Sequence, residues 1–185
     1  MSLSIRLRGT LSRLIAWLLD WRSHAFTLLM VLLVYTGIHL WQTRAVPAGP
    51  APAFNAPQAG ADNDLDFDTW RQTHPGRVVA LHFWADWCPI CRMEEDSISA
   101  LQRDWPVLSV AMQSGDAARV RAALHKRRLN WPTVVDPQGQ IARRYGLSAV
   151  PAFIVVDAQG NIRFAELGYT SEAGMRLRLW WAQTF

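Results

Sequence analysis

The strongest constraint in this sequence is where one pentapeptide falls. Trp87-Cys88-Pro89-Ile90-Cys91 lies between two segments of different period. Before it, Val78-Val79-Ala80-Leu81-His82-Phe83-Trp84 is a nearly continuous apolar run of strand length. Such a run marks a strand buried on both faces, as in a central parallel strand. After it, a helix pattern runs from Pro89 to about Arg103, and Trp105-Pro106 ends it. A strand feeding directly into a helix puts Cys88 at the N-cap. There, unpaired backbone N–H groups and the helix dipole stabilise an anion. A thiol so placed ionises below its free value of about 8.5. Pro89 takes the first helical position, where its missing N–H costs nothing. Cys91 follows one turn later, which brings the two sulfurs within bridging distance. The pair can cycle between dithiol and disulfide, with Cys88 as the exposed attacker and Cys91, partly buried, resolving the mixed disulfide.

Other readings of the two cysteines stand beside this one. A redox-inert structural disulfide would rarely start a helix after a core strand. A metal site needs more ligands: Met93 or His82 would have to join the thiolates, and such a soft set suits Cu(I). A peroxidase on a related fold would want a lone cysteine with Thr three residues earlier, where this chain has Ala85. Two cysteines in all exclude a four-cysteine zinc site and a multi-bridge scaffold.

The rest of residues 63–185 alternates strand and helix. Phe67 to His74 reads as a short helix, Val107 to Met112 as a strand, and Asp116 to Arg128 as a helix. Pro132 to Val135 is a short strand, and Gln140 to Tyr145 is a helical turn closed by Gly146. Ala152 to Val156 and Ile162 to Leu167 are joined by Asp157-Ala158-Gln159-Gly160, a hairpin. A helix from Ser171 to about Gln183 closes the chain. The order predicts an α/β fold, a mixed central sheet flanked by helices. With 50% hydrophobic and 18% charged residues, disorder of the whole chain is excluded.

The N-terminal part is of another kind. Between Arg22 and Arg44 lie 21 residues without a fixed charge, bracketed by Trp21 and Trp41. Residues 25–41 are expected to be a transmembrane anchor, with residues 1–24 cytoplasmic by the bias of arginines to that side. A cleaved signal peptide and a buried core helix are the competing readings. Residues 42–62, rich in Pro and Ala, read as a linker that would lift the domain off the bilayer. Residues 1–45 hold five arginines and one acid, which is the whole net charge of +4. The remainder sums to zero, so no nucleic-acid partner is expected. The basic run His125-Lys126-Arg127-Arg128 reads as the solvated end of a helix.

The stretch from His82 to Glu94 resembles the strand, active site and helix of the thioredoxin superfamily, and within it the membrane-anchored TlpA-like branch. Glu94, three residues after Cys91, matches an acidic position of that branch. Tyr145-Gly146-Leu147-Ser148-Ala149-Val150-Pro151 resembles the loop that carries the superfamily's cis-proline, and residues 154–162 resemble its hairpin. The ending, residues 174–182, is similar to that of the suppressor-of-copper-sensitivity D-type disulfide oxidoreductases. The resemblance covers residues 64–185. It implies a thioredoxin fold with a TlpA-like insertion, the helix Asp116 to Arg128. It implies a cis Val150–Pro151 bond beside the sulfurs, with Trp87, Val150 and Pro151 forming the substrate groove. It also implies a reductant of periplasmic protein disulfides at the bacterial inner membrane. Such a protein is recharged by a membrane thiol reductase of the DsbD or CcdA type, and its copper association suggests copper-oxidised substrates. No organic cofactor is expected, since no dinucleotide fingerprint occurs. A Cu(I) chaperone and a disulfide oxidase or isomerase are the alternatives.

Two departures stand out. The buried acid of thioredoxins, six residues ahead of Cys88, is His82 here. It reads either as a core histidine with a satisfied hydrogen bond or as a proton relay for Cys91. The dipeptide between the cysteines is Pro-Ile instead of the commoner Gly-Pro or Glu-Pro. Glu94 and Glu95 read either as solvated residues favouring the helix dipole or, for Glu94, as a proton acceptor near Cys91.

Overall fold

The apolar run forms a single helix, α1 (Trp21–Thr43), in the computed structural model of the chain, which describes residues 21–185. Ser23–Thr43 is long and apolar enough to cross a membrane. Leu28, Leu33, Tyr35 and Trp41 are all exposed along it. A helix apolar all round, with no polar face, has the pattern of a membrane span or a signal sequence. The expected anchor, 25–41, lies within it, and most of the expected cytoplasmic segment, residues 1–20, lies outside the described residues. α1 down to Trp41 is one compact unit, and Gln42–Phe185 is another.

The second unit begins earlier than the composition implied. The stretch expected to be a linker is folded. β1 (Gly49–Pro50) pairs antiparallel with the hairpin strand β8 (Asn161–Leu167). β2 (Asn55–Pro57) pairs with β3 (Asp64–Asp66). Phe54, Ala56 and Ala59 are buried. The prolines are accommodated because β1 is an edge strand, where a missing N–H breaks no ladder. The remaining polar groups find partners: Ala51 N–H donates to Gly160 O at 2.8 Å, and Tyr145 Oη donates to Pro52 O at 2.9 Å. Gly146 (φ +68°) is required where it stands, because a Cβ there would collide with the Ala45 carbonyl.

Beyond it come α2 (Phe67–Gln72), β4 (Val79–Trp84), α3 (Pro89–Met93), α4 (Glu95–Leu101) and β5 (Val107–Met112). Then follow α5 (Ala117–Lys126), β6 (Thr133–Asp136), α6 (Gln140–Arg144), β7 (Ala152–Val156), β8 and α7 (Glu172–Thr184). Asp66, Asp116 and Ser171 each accept a backbone N–H as N-cap, which sets the starts of α2, α5 and α7. The main sheet has the order β1-β8-β7-β4-β5-β6. β4 runs parallel to β5 and antiparallel to β7, and all six of its residues are buried. This explains its nearly continuous apolar sequence.

Alternation along β4 divides the core in two. Ala80 and Trp84 pack with Ile98, Leu101, Val120, Met175 and Leu179 beneath α4, α5 and α7. Val79, Leu81 and Phe83 pack with Phe54, Phe67, Ile141 and Tyr145 beneath the N-terminal segment, α2 and α6. The expected helix from Pro89 to Arg103 is divided. Glu94 (φ −96°, ψ −6°) separates α3 from α4, and the second piece ends at Leu101.

Candidate active site

β4 delivers the chain to the turn Ala85-Asp86-Trp87, where Cys88 N–H donates back to Ala85 O at 3.2 Å. Cys88 is the N-cap of α3, with extended backbone (φ −83°, ψ 113°), and Pro89 occupies the first turn. The Cys88 sulfur accepts the Cys91 N–H at 3.2 Å. This is the geometry that stabilises a thiolate, since one of the orphan donors of the helix end points at the sulfur. Cys88 and Cys91 form a disulfide with their Cα atoms 5.4 Å apart. The expected difference in exposure between them is absent: Cys88 is 3% exposed and Cys91 2%. The neighbouring loop covers Cys88, whose sulfur lies 3.7 Å from Val150 O.

That loop carries the cis peptide Val150–Pro151. It is seated by Gly168 N–H, which donates to Pro151 O at 2.8 Å. Trp87 stands at the rim, 55% exposed, with its indole N–H donating to Gln113 O at 3.1 Å. Ile90 and Met93 are exposed on α3, so part of the surface beside the disulfide is apolar.

Glu94 does not point to solvent. It is buried at the break between α3 and α4. Its Oε2 lies 3.2 Å from His82 Nε2, and its Oε1 accepts the Thr170 N–H at 2.6 Å. The solvated reading of Glu94 is therefore overturned, and the physical cause is the broken helix, which turns this residue inward. Glu95 is half-buried and pairs with Arg127 at 3.0 Å. His82 is fully buried on β4 with its ring edge on Trp131. Its hydrogen bonding is only half satisfied, because Nδ1 has no partner. Thr170 was not foreseeable, because it contributes a backbone N–H that any residue would supply.

The remaining donors do not gather into a metal centre. Among the described residues, no group of three or more His, Cys, Asp or Glu side chains is arranged to hold an ion. His82 is engaged with Glu94, and Met93 is 68% exposed.

A mixed sheet whose central strand ends in a Cys-x-x-Cys helix cap, facing a cis-proline loop, defines a class: the thioredoxin-like thiol:disulfide oxidoreductases. Residues 47–165 match the model of the AhpC/TSA family, and the chain belongs to that family. It is 34% identical over 124 residues to a thioredoxin-like protein of Haemophilus influenzae, covering 66% of this chain and 72% of that one. It is 28% identical over 148 residues to the thiol:disulfide interchange protein DsbE of Allochromatium vinosum, covering 76% and 79%. Among solved structures, it resembles a DsbE-type thiol:disulfide interchange protein of Chlorobium tepidum with a TM-score of 0.64 at 22% identity, over 75% of this chain and 99% of that one.

Proposed function

We propose that this protein reduces disulfides of periplasmic proteins while anchored in the bacterial inner membrane through residues 25–41. The reading rests on one observation above the others. The Cys88 sulfur accepts the Cys91 N–H at the N-terminus of α3, with a cis-proline loop against it. In the reaction, the Cys88 thiolate attacks a substrate disulfide and expels one substrate thiolate. The Cys91 thiol loses its proton and attacks the Cys88 sulfur, which expels the second. Two electrons pass from the dithiol to the substrate, and the Cys88–Cys91 disulfide is left.

Glu94 is the acceptor of the Cys91 proton, and His82 holds it in place and shares that proton. Val150 and Pro151 shape the groove, and Trp87 contributes an apolar rim to it. No cofactor is required beyond the disulfide. A membrane thiol reductase of the DsbD or CcdA type returns the pair to the dithiol. The copper-oxidised cysteines suggested by residues 174–182 are a fitting substrate.

The test is capture. Cys91→Ser in the full chain cannot resolve, so it should accumulate mixed disulfides with cysteine proteins outside the cytoplasm. Recovery of none, with Cys88 still alkylatable, would remove the proposal.

A further inference from the structure

The turn that presents Cys88 is held by arginines that the exchange reaction does not use. Asp86, two residues before Cys88, is their common target. Its carbonyl accepts from Arg127 Nη2 at 2.6 Å and from Arg92 Nη2 at 3.3 Å. Its carboxylate Oδ2 lies 3.2 Å from Arg119 Nη2. Its N–H donates to Ser114 Oγ at 3.0 Å.

Arg127 differs from the other two. Its side chain is 17% exposed, against 66% for Arg119. While one arm of its fork reaches Asp86, Nη1 donates to Glu95 Oε1 at 3.0 Å. The guanidinium carbon lies 5.8 Å from the centroid of the Trp84 ring. One side chain from the C-cap of α5 thus touches the last residue of β4, the active-site turn and the first residue of α4. Within the basic run 125–128, His125, Lys126 and Arg128 are exposed as expected, whereas Arg127 is turned inward.

We propose that Arg127 is a positioning residue for Cys88. It fixes the turn Asp86 to Cys88 in the arrangement where the Cys91 N–H reaches the Cys88 sulfur. The planar fork suits this task, because it serves two acceptors at once in fixed geometry, which an ammonium cannot do. Glu95 neutralises the guanidinium, so its effect on the sulfur comes through placement more than through field. When the hold is lost, the turn relaxes, the thiolate spends less time on its helix donors, and less of Cys88 is ionised at neutral pH. The inference rests on the exchange reading for its purpose, but not for its test.

The experiment measures alkylation of Cys88 by iodoacetamide against pH, in the full chain in detergent, with Cys91→Ser as the common background. Arg127→Met should move the midpoint upward and, at pH values well below it, slow alkylation by roughly three- to ten-fold, the thiolate lost when a pKa rises by half to one unit. Arg127→Lys keeps the stem over Trp84 and a charge for Glu95, and so guards against misfolding of the first variant. It should still show a clear part of the slowing, because it cannot bridge both acceptors. Arg121→Lys, on the same helix but bonded to Ala59 O, should change nothing. An unchanged midpoint in folded Arg127→Lys and Arg127→Met would overturn the inference, as would an equal slowing by Arg121→Lys. Exchange with glutathione is followed in parallel on the unsubstituted chain. Its absence would count against the proposed function, while the alkylation contrast would still decide the role of Arg127.

Discussion

His82 Nε2 and Glu94 Oε2 lie 3.2 Å apart, both in the interior, one on the central strand and the other at the break between α3 and α4. Under the proposed mechanism this buried pair takes up the Cys91 proton. It lies on the strand and helix that flank the disulfide. Glu94→Gln keeps the shape and removes the acceptor. Resolution of a preformed mixed disulfide should slow about a hundred-fold or more, with attack by Cys88 little changed, the usual scale for losing a general base. His82→Ala should slow the same step. Single-turnover stopped flow separates the two steps, and normal resolution in both variants would remove the pair from the mechanism.

The stretch 45–61 is part of the domain's core and not a spacer. Phe54 is 3% exposed and stacks on Phe67 with ring centroids 5.0 Å apart. Phe54→Ala should cost about 3–5 kcal/mol by lost burial and cavity formation. Chemical denaturation measures this. A cost below about 1 kcal/mol, the level of surface substitutions, would restore the linker reading.

How far the site was legible depends on which interactions define it. Apolar runs, helical periodicity and turn residues are local signals, and they located β4, β5, the hairpin and the Cys88 cap to within a residue or two. The fold of residues 45–61 was not legible, because Pro-rich composition reads as loop and only pairing with β8 makes Gly49–Pro50 an edge strand. Burial of Glu94 and Arg127 was hidden for a related reason. Both are charged residues at helix ends, and tertiary contacts with His82, Thr170, Asp86 and Glu95 turn them inward. The cis bond at Val150–Pro151 was implied by resemblance alone, since no letter encodes it.

The Asp66 cap gives a pH-dependent term of known sign. The Thr69 N–H bond holds its carboxyl below the ordinary value of 3.8. A carboxyl depressed in the folded state stabilises it above the unfolded value, and this is lost as the pH falls through the folded one. The melting-temperature difference between the unsubstituted chain and Asp66→Asn should therefore be fully present at neutral pH. It should close as the pH drops below 3.8. A difference independent of pH would show that the charge contributes nothing.

Trp87 is exposed at the rim, and its loss should be felt by large substrates first. Trp87→Ala should raise KM for a protein disulfide by roughly three- to ten-fold, the scale for an apolar contact of about 1 kcal/mol. Exchange with glutathione should stay within two-fold, roughly, since so small a partner lacks the surface to use the rim. Equal effects on both substrates would mean that Trp87 acts on the cysteines and not on the partner.

The most direct test of the central claim is the reduction potential of the Cys88–Cys91 pair. It is measured by equilibrating the full chain in detergent with glutathione buffers and counting free thiols. A reductant requires a value near or below about −200 mV, in the range of glutaredoxins and thioredoxin. A value near about −120 mV, that of a strong oxidant, would contradict the proposed direction of electron flow.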